Sequence, residues 1–598
     1  MARSESTRRK NPTVFAAGIL AVAMAGLGMM GARAWAQNQN STVPAPAVRV
    51  TVRLVLADAV VTDKEGKVVT GLGPQDFTVL EDGKPQKVTT FSFERPAEMN
   101  KALQSRRVQL PPNVTTDRPE YRVPSGAPVI VLIDALNTRA QDQSRARMEL
   151  LKYLDTQLKP GQPIAVYTLG SSLRRLQDFT DDPTLLKAAV QGFNPTEPVE
   201  QQISRLDQQI PRFSGALAGS GLRGTQTNPA IYLERMREFM EDQASVGVDM
   251  RVGITLTAFQ AIAHAVAGLP GRKSLVWVTA SFPLATYSRI IKYSADGDNS
   301  PNRVAFNELY EDRVRETDSK LSDAQVAVYP VDARGLVGEL QGGAENQGVD
   351  AGGQLVGGAD FAQSQQMASG ALQETQATMK QVAGDTGGRV FTNQNDLDHS
   401  VALSVDDGAA YYLLGYTPTS KADGKFHKIE VKVNRPDVNV RARGGYFANP
   451  LSDDSKAMKQ LDAEVAMAMQ LDSPLTSGVT FDARVAPPAP AEKMKVGVDF
   501  IIDPSTVSVE DAGGGKALAL EFHVAAYGND GKLAAHRDVA IKPVLKPEQY
   551  AAIQQQGIPY HSELELGPGT YRLRIGVVDQ RSGTIGTADI PLSLPGAK

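Results

Sequence analysis

APVIVLIDALNT, residues 127–138, is the stretch around which the rest of the chain is read. Residues 129–133 form an unbroken apolar run between Pro128 and the polar segment DALNT, the pattern of a strand buried on both faces of a parallel sheet. Asp134 therefore falls at that strand's carboxyl end. Open α/β sheets bind ligands in the crevice outside those ends, so any chemistry is expected there.

Outward from this strand, 127–405 alternates strand and helix patterns, which predicts a doubly wound, Rossmann-like α/β sheet with right-handed crossovers. Met148, Leu151, Leu154 and Leu158 recur at helical spacing, and Lys159-Pro160-Gly161 ends that helix. PIAVYTLG, SLVWVTA, AQVAVYPVDA and GGRVF supply further strands. Helices are expected near 254–267, 303–323 and 375–383, and Asp182-Pro183 reads as the cap and first residue of another. Two segments break the rhythm, 196–250, a Gly/Ser-rich patch (FSGALAGSGLRG) flanked by polar helices, and the Gly/Gln-rich 335–371, and both read as surface insertions.

On the amino-terminal side, Val48, Val50, Val52, Leu54 and Leu56 alternate with Arg49, Thr51 and Arg53, which predicts a half-buried strand. Asp82-Gly83 is a hairpin signal, and 48–95 reads as a small β module. Residues 96–126, rich in Pro, Arg and Gln, read as a linker. On the other side, the strand patterns of 406–448 are expected to complete the β module, 449–475 reads as a helical linker, and 476–598 as an immunoglobulin-like β-sandwich.

At the start, Arg8, Arg9 and Lys10 precede an apolar segment over 14–30, and Ala34-Trp35-Ala36 offers a small-x-small cleavage site. This predicts a signal peptide over 1–36 and a flexible leader over 37–47; an uncleaved membrane anchor is the alternative. The chain is thus expected to be exported to the periplasm, cell surface or medium, with no integral membrane segment after cleavage. A net charge of -4 over 598 residues gives no field for nucleic acid, and the absence of cysteine removes disulfides and thiolate chemistry.

GLGPQDFTVLEDGKPQKVTTF, VIVLIDALNT, LLKYLDTQLKPGQPIAVYTLG, LRRLQDFTDD, LPGRKSLVWVTASFP, VAGDTGGRVFTNQNDL, YYLLGYTP and RARGGYF, in this order over 48–447, resemble the von Willebrand factor type A-related domain of exported acidobacterial proteins. The resemblance implies a Rossmann-like sheet flanked by a β module built from both sides of it, and no assigned enzymatic activity. Type A domains carry a metal-ion-dependent adhesion site, DxSxS after the first strand with a Thr and an Asp from later loops. Mg²⁺ takes near-octahedral oxygen ligands and keeps waters that a partner's carboxylate replaces.

By this resemblance Asp134 and Thr138 match ligand positions, while Leu136 cannot ligate and Thr279-Ala280-Ser281 stands where a TDG is expected. The loop threonine is Thr255 or Thr257. The site is degenerate, with weak Mg²⁺ binding at most and no other cofactor. Asp134, Asn137, Thr138, Thr279 and Ser281 are the expected rim for a protein partner.

Other motifs carry less. GSGLRG at 219–224 has no strand leading into it, GLPGRKS precedes a strand instead of following one, and no GxSxG is present. The six histidines are dispersed, and His264 reads as a packing residue in a helix. The expectation is an exported, non-enzymatic protein-binding or scaffold protein. Its rivals are a divalent-cation-dependent adhesion protein and an exported hydrolase built on the spare carboxylates.

Overall fold

The computed structural model describes residues 54–111, 113–124, 126–196, 229–282, 301–335, 358–420, 422–448, 454–486, 488 and 493–595. The expected signal peptide, leader and GSGLRG loop lie outside them. The chain is a mixed α/β protein with several sheets.

In the central sheet, strand Val129–Asp134 pairs in parallel with Ile164–Leu169 on one side and Lys273–Thr279 on the other. Val326–Asp332 joins Lys273–Thr279, also in parallel. All six residues of the first strand are buried, as are all seven of each of the last two. Two apolar clusters explain why. Ile130, Leu132, Leu275, Trp277, Val326 and Val328 pack on one face with Phe259 and Ile262 of helix Pro229–Val266. Val129, Val131, Val276, Val278, Ala327 and Tyr329 pack on the other with Leu150 and Tyr153 of helix Ala140–Thr156 and Val401 of helix Leu397–Asp407. Alternate side chains of a strand point to opposite faces, so a run apolar at every position needs both coverings.

Several sequence readings are corrected. The sheet is not wholly parallel: Leu173–Thr180, a polar LRRLQDFT, forms an antiparallel edge on Ile164–Leu169. GGRVF adds only the bridge Val331–Phe391 instead of a strand. A side chain at Gly388 would put its Cβ 1.9 Å from the Val328 carbonyl oxygen, so the backbone approaches there because the residue is glycine. Helix Pro229–Val266 runs through most of the second half of 196–250, in keeping with the polar helix expected after the Gly/Ser-rich patch, whereas helix Gly358–Asp385 begins inside the supposed low-complexity insertion 335–371. Ala, Gln, Glu, Arg and Met favour helix whatever the low complexity of the segment, and proline at a first helical position is compatible with it.

The β-rich region holds two four-stranded sheets, one ordered Asn439–Arg441, Val55–Thr62, Tyr411–Tyr416, Val88–Glu94 and the other Gly445–Phe447, Phe426–Val433, Phe77–Glu81, Lys84–Gln86. One core of Val55, Val61, Phe77, Val79, Tyr412, Leu414 and Ile429 serves both. The expected alternation is inverted where it is described: Leu54 is exposed and Val55 buried. Asp58 is buried as well, because Arg272 from the central sheet reaches it at 2.9 Å.

Residues 96–126 are not a bare linker. They form helices Pro96–Gln104 and Pro119–Arg122, and Val114–Thr116 pairs with Phe481–Ala486 in the carboxyl-terminal region. Arg122 is bound to Asp178 at 3.1 Å and donates to Ser477 Oγ at 3.1 Å, so it pins this segment between the central sheet's edge and the next region. That region has two four-stranded antiparallel sheets sharing one core that includes Phe481, Val496, Phe500, Phe522, Ile575 and Leu592. A helix, Pro547–Gln556, and the hairpin Glu510–Ala512/Gly515–Ala517 were not foreseen.

Candidate functional site

Asp134 sits where the sequence put it, at the carboxyl end of the middle strand, and is completely buried. Its Oδ1 accepts from the Asn137 backbone N–H at 2.9 Å and from Asn137 Nδ2 at 3.2 Å. Its Oδ2 accepts from Asn137 Nδ2 at 2.9 Å, Trp277 Nε1 at 3.0 Å and Thr279 Oγ1 at 2.9 Å. A carboxylate has about four lone-pair sites, so this one is saturated by the protein itself. Burial raises the Asp134 carboxyl above its ordinary value, against the pull of these donors.

The neighbouring rim residues close over it. Thr138 Oγ1 accepts from the Ala280 N–H at 3.0 Å, and Ser281 Oγ donates to the Asn137 carbonyl at 3.0 Å. Asn137 Nδ2 also donates to Thr255 Oγ1 at 3.1 Å, which identifies Thr255 as the threonine at the site; Thr257 is exposed. Leu136 is buried in the apolar core instead of facing the carboxylate. Gln143, fully buried, donates through Nε2 to the carbonyls of Thr138 at 2.6 Å and Thr196 at 2.7 Å, fixing the loop after the strand. Asp134, Asn137, Thr138, Thr279 and Ser281 thus form one continuous network.

Two participants escaped the sequence reading. Trp277 lies between Phe259 and Phe282, edge-on to both at 5.0 and 5.5 Å, and its indole N–H finds Asp134. A buried tryptophan needs such an acceptor, which was the available signal. Asp332 ends its own strand opposite Thr279 and is held by Arg334, with Nε to Oδ1 at 2.9 Å and an Nη2 bond to Oδ2 at 2.8 Å. YPVDA repeats the pattern of VLIDA, a buried run closed by aspartate. Both rim carboxylates are therefore satisfied by side chains and backbone, and none of the rim residues named is a histidine, lysine or cysteine able to pair with them as a proton shuttle or nucleophile.

Elsewhere, Asp182 Oδ1 accepts from the Thr184 N–H at 2.7 Å and caps the helix Pro183–Gly192. His264 is partly buried, 3.4 Å from Glu464. Arg272 and Lys273 of GLPGRKS point into the interior, both buried, which removes any phosphate loop. No helix among the described residues is long and apolar enough to cross a membrane.

No family model matches the chain, and no curated protein matches it. Among solved structures, the conserved hypothetical protein BatB from Bacteroides thetaiotaomicron aligns at 12% identity over 48% of this chain and 99% of its own, with a TM-score of 0.22. An aerotolerance-related membrane protein from Bacteroides fragilis aligns at 11% identity over 47% and 98%, also at 0.22. Proximal thread matrix protein 1 from the mussel byssus aligns at 12% identity over 47% and 48%, at 0.21. Scores and identities this low say nothing about activity, substrate or partner.

Proposed function

We propose that the chain is an exported, non-enzymatic protein-binding or scaffold protein of the von Willebrand factor type A kind. In this reading the central sheet is a doubly wound type A sheet, and the carboxyl-terminal pair of sheets is an immunoglobulin-like sandwich serving as a second interaction module. The adhesion-site positions have changed use: what were ligands to a cation are now partners of one another.

The observation that carries this reading is the saturation of Asp134. A type A aspartate must aim free oxygens at a hard cation whose waters a partner replaces. Here four donor groups occupy the carboxylate, and Ala280, whose N–H donates to Thr138 Oγ1, stands where a second acidic ligand would stand. An aspartate enclosed in this way fixes the shape of the rim. Asp134, Asn137, Thr138 and Thr279 are themselves buried, so a partner meets the half-buried Ser281 and the exposed Arg139 beside them, without a cation.

Immobilised mature protein exposed to an envelope fraction, once in Mg²⁺ and once in EDTA, tests this. The same partner should be retained in both and lost when Arg139 and Ser281 are changed together. Retention only in Mg²⁺, or turnover in a panel of ester, peptide and glycoside substrates, would overturn it.

A further inference from the structure

The β-rich region contains a second group of ligand-capable side chains, on a different sheet from the Asp134 rim and independent of how that rim is read. Asp82 and Gly83 both take positive φ, 49° and 78°, and turn the chain between Phe77–Glu81 and Lys84–Gln86. Asparagine, aspartate and glycine tolerate that conformation, and it swings Asp82 out of strand alternation. Strand Phe426–Val433 lies alongside, with Ile429 opposite Glu81. Glu81, Asp82 and His427 are consequently gathered so that one donor atom of each lies within 4.8 Å of the others.

The details favour a ligand over a simple ion pair. His427 Nδ1 is 2.7 Å from Asp82 Oδ2, across 345 residues of sequence, and its Nε2 is 3.3 Å from Asp423 Oδ1. Asp82 is further fixed by the Lys428 N–H, 2.9 Å from Oδ1. The imidazole stacks on Tyr446, with ring centroids 5.5 Å apart. These contacts account for Asp82 and His427 but not for Glu81. Glu81 is only 3% exposed; its Oε1 accepts from Ser420 Oγ at 2.5 Å, while its Oε2 makes no closed hydrogen bond, the buried Tyr416 hydroxyl beside it being likewise unpaired. Leaving a buried acceptor unmet costs about 1–3 kcal/mol, more when it is charged. An arrangement that tolerates this cost calls for a partner.

We propose that Glu81, Asp82 and His427 bind one divalent transition-metal ion, with Zn²⁺ the best match. One imidazole nitrogen and two carboxylates suit Zn²⁺, whereas Ca²⁺ and Mg²⁺ take oxygen ligands. The two carboxylates balance its charge. Ligands about 2.0–2.2 Å from Zn²⁺ stand roughly 3–4 Å apart, so the donors need to move by about an ångström. Nδ1 faces the ion, the remaining ring proton sits on Nε2, and Asp423 receives it, orienting the imidazole as outer carboxylates do at such sites. The ion fastens the early hairpin to a strand that follows the whole central sheet.

The full mature chain, stripped of metal and dialysed against Zn²⁺, should retain one equivalent by elemental analysis, and its thermal midpoint should rise. His427→Gln and Asp82→Asn should each weaken binding at least tenfold and abolish that rise. Asp82→Asn keeps the acceptor for Lys428 and so guards against misfolding of the histidine variant. Co²⁺ absorption should report an ordered site in the wild type and not in either variant. His561→Gln, at the exposed His561–Asp499 pair, should leave binding unchanged. Absence of stoichiometric Zn²⁺ binding, or equal affinity in the His427 and Asp82 variants, would overturn the assignment.

Discussion

Asp134 on the central rim and Glu81 in the β-rich region are buried to nearly the same degree, yet their carboxylates are in opposite condition. Asp134 accepts from four donor groups on three residues; Glu81 accepts from Ser420, and its other oxygen makes no closed hydrogen bond although the Tyr416 hydroxyl lies beside it. The position that a sequence pattern marks for a cation is the one the protein has closed. The position left short of donors is a hairpin end that no motif marks. Burial alone therefore does not identify a ligand site; the balance of donors and acceptors around the buried group does.

This contrast can be probed by changing one side at a time. The largest effect is expected where the two regions meet. Arg272→Leu strands Asp58, buried in the β-rich region, and should cost about 3–5 kcal/mol in denaturant unfolding. A smaller change of opposite sign is expected next door. Lys273 is buried, its Nζ bonded only to the Leu269 carbonyl at 2.8 Å, and burial pushes its pKa down to about 7. Because the unfolded chain holds this proton up to about pH 10.4, the penalty is greatest below pH 7 and fades as pH rises toward that value. Lys273→Met should therefore stabilise the protein by about 2–3 kcal/mol at pH 6, and the gain over wild type should shrink by pH 9.

On the rim, Trp277→Phe keeps the aromatic packing but removes one donor to Asp134, at a cost of about 1–3 kcal/mol. If this variant instead leaves stability unchanged, the closed network is not what holds the rim. The smallest effect is expected at the hairpin. Glu81→Gln removes an unmet buried anion, so metal-free stability should be unchanged or higher by up to about 1 kcal/mol, while Zn²⁺ affinity falls. A large loss of metal-free stability would show that Glu81 is already satisfied.

The central strands were legible because burial on both faces forces runs such as VIVLID and VAVYPVD, which few other environments tolerate. The antiparallel edge was not, since Leu173–Thr180 is open enough to carry Arg174 and Gln177 and lacks that signature. Residues 96–126 failed for another reason. Val114–Thr116 is three residues long, and what fixes it is distant: its pairing with 482–484 and the Arg118–Asp482 contact at 3.2 Å. Local composition cannot register such partners. At the rim, Asp134, Asn137, Thr138, Thr279 and Ser281 could be read from the motif's positions, but their mutual bonds could not. His427 and Asp82 are separated by a whole sheet, so no spacing rule reaches them.

The central claim is that Asp134 is satisfied from within. Titration calorimetry with Mg²⁺ and Mn²⁺ on the wild type and on Asp134→Ala addresses it most directly. The account predicts no binding heat that depends on Asp134, together with a fall in stability of about 3–5 kcal/mol in the variant, the same in Mg²⁺ and in EDTA. A saturable Mg²⁺ or Mn²⁺ isotherm in the wild type that disappears in Asp134→Ala would contradict it.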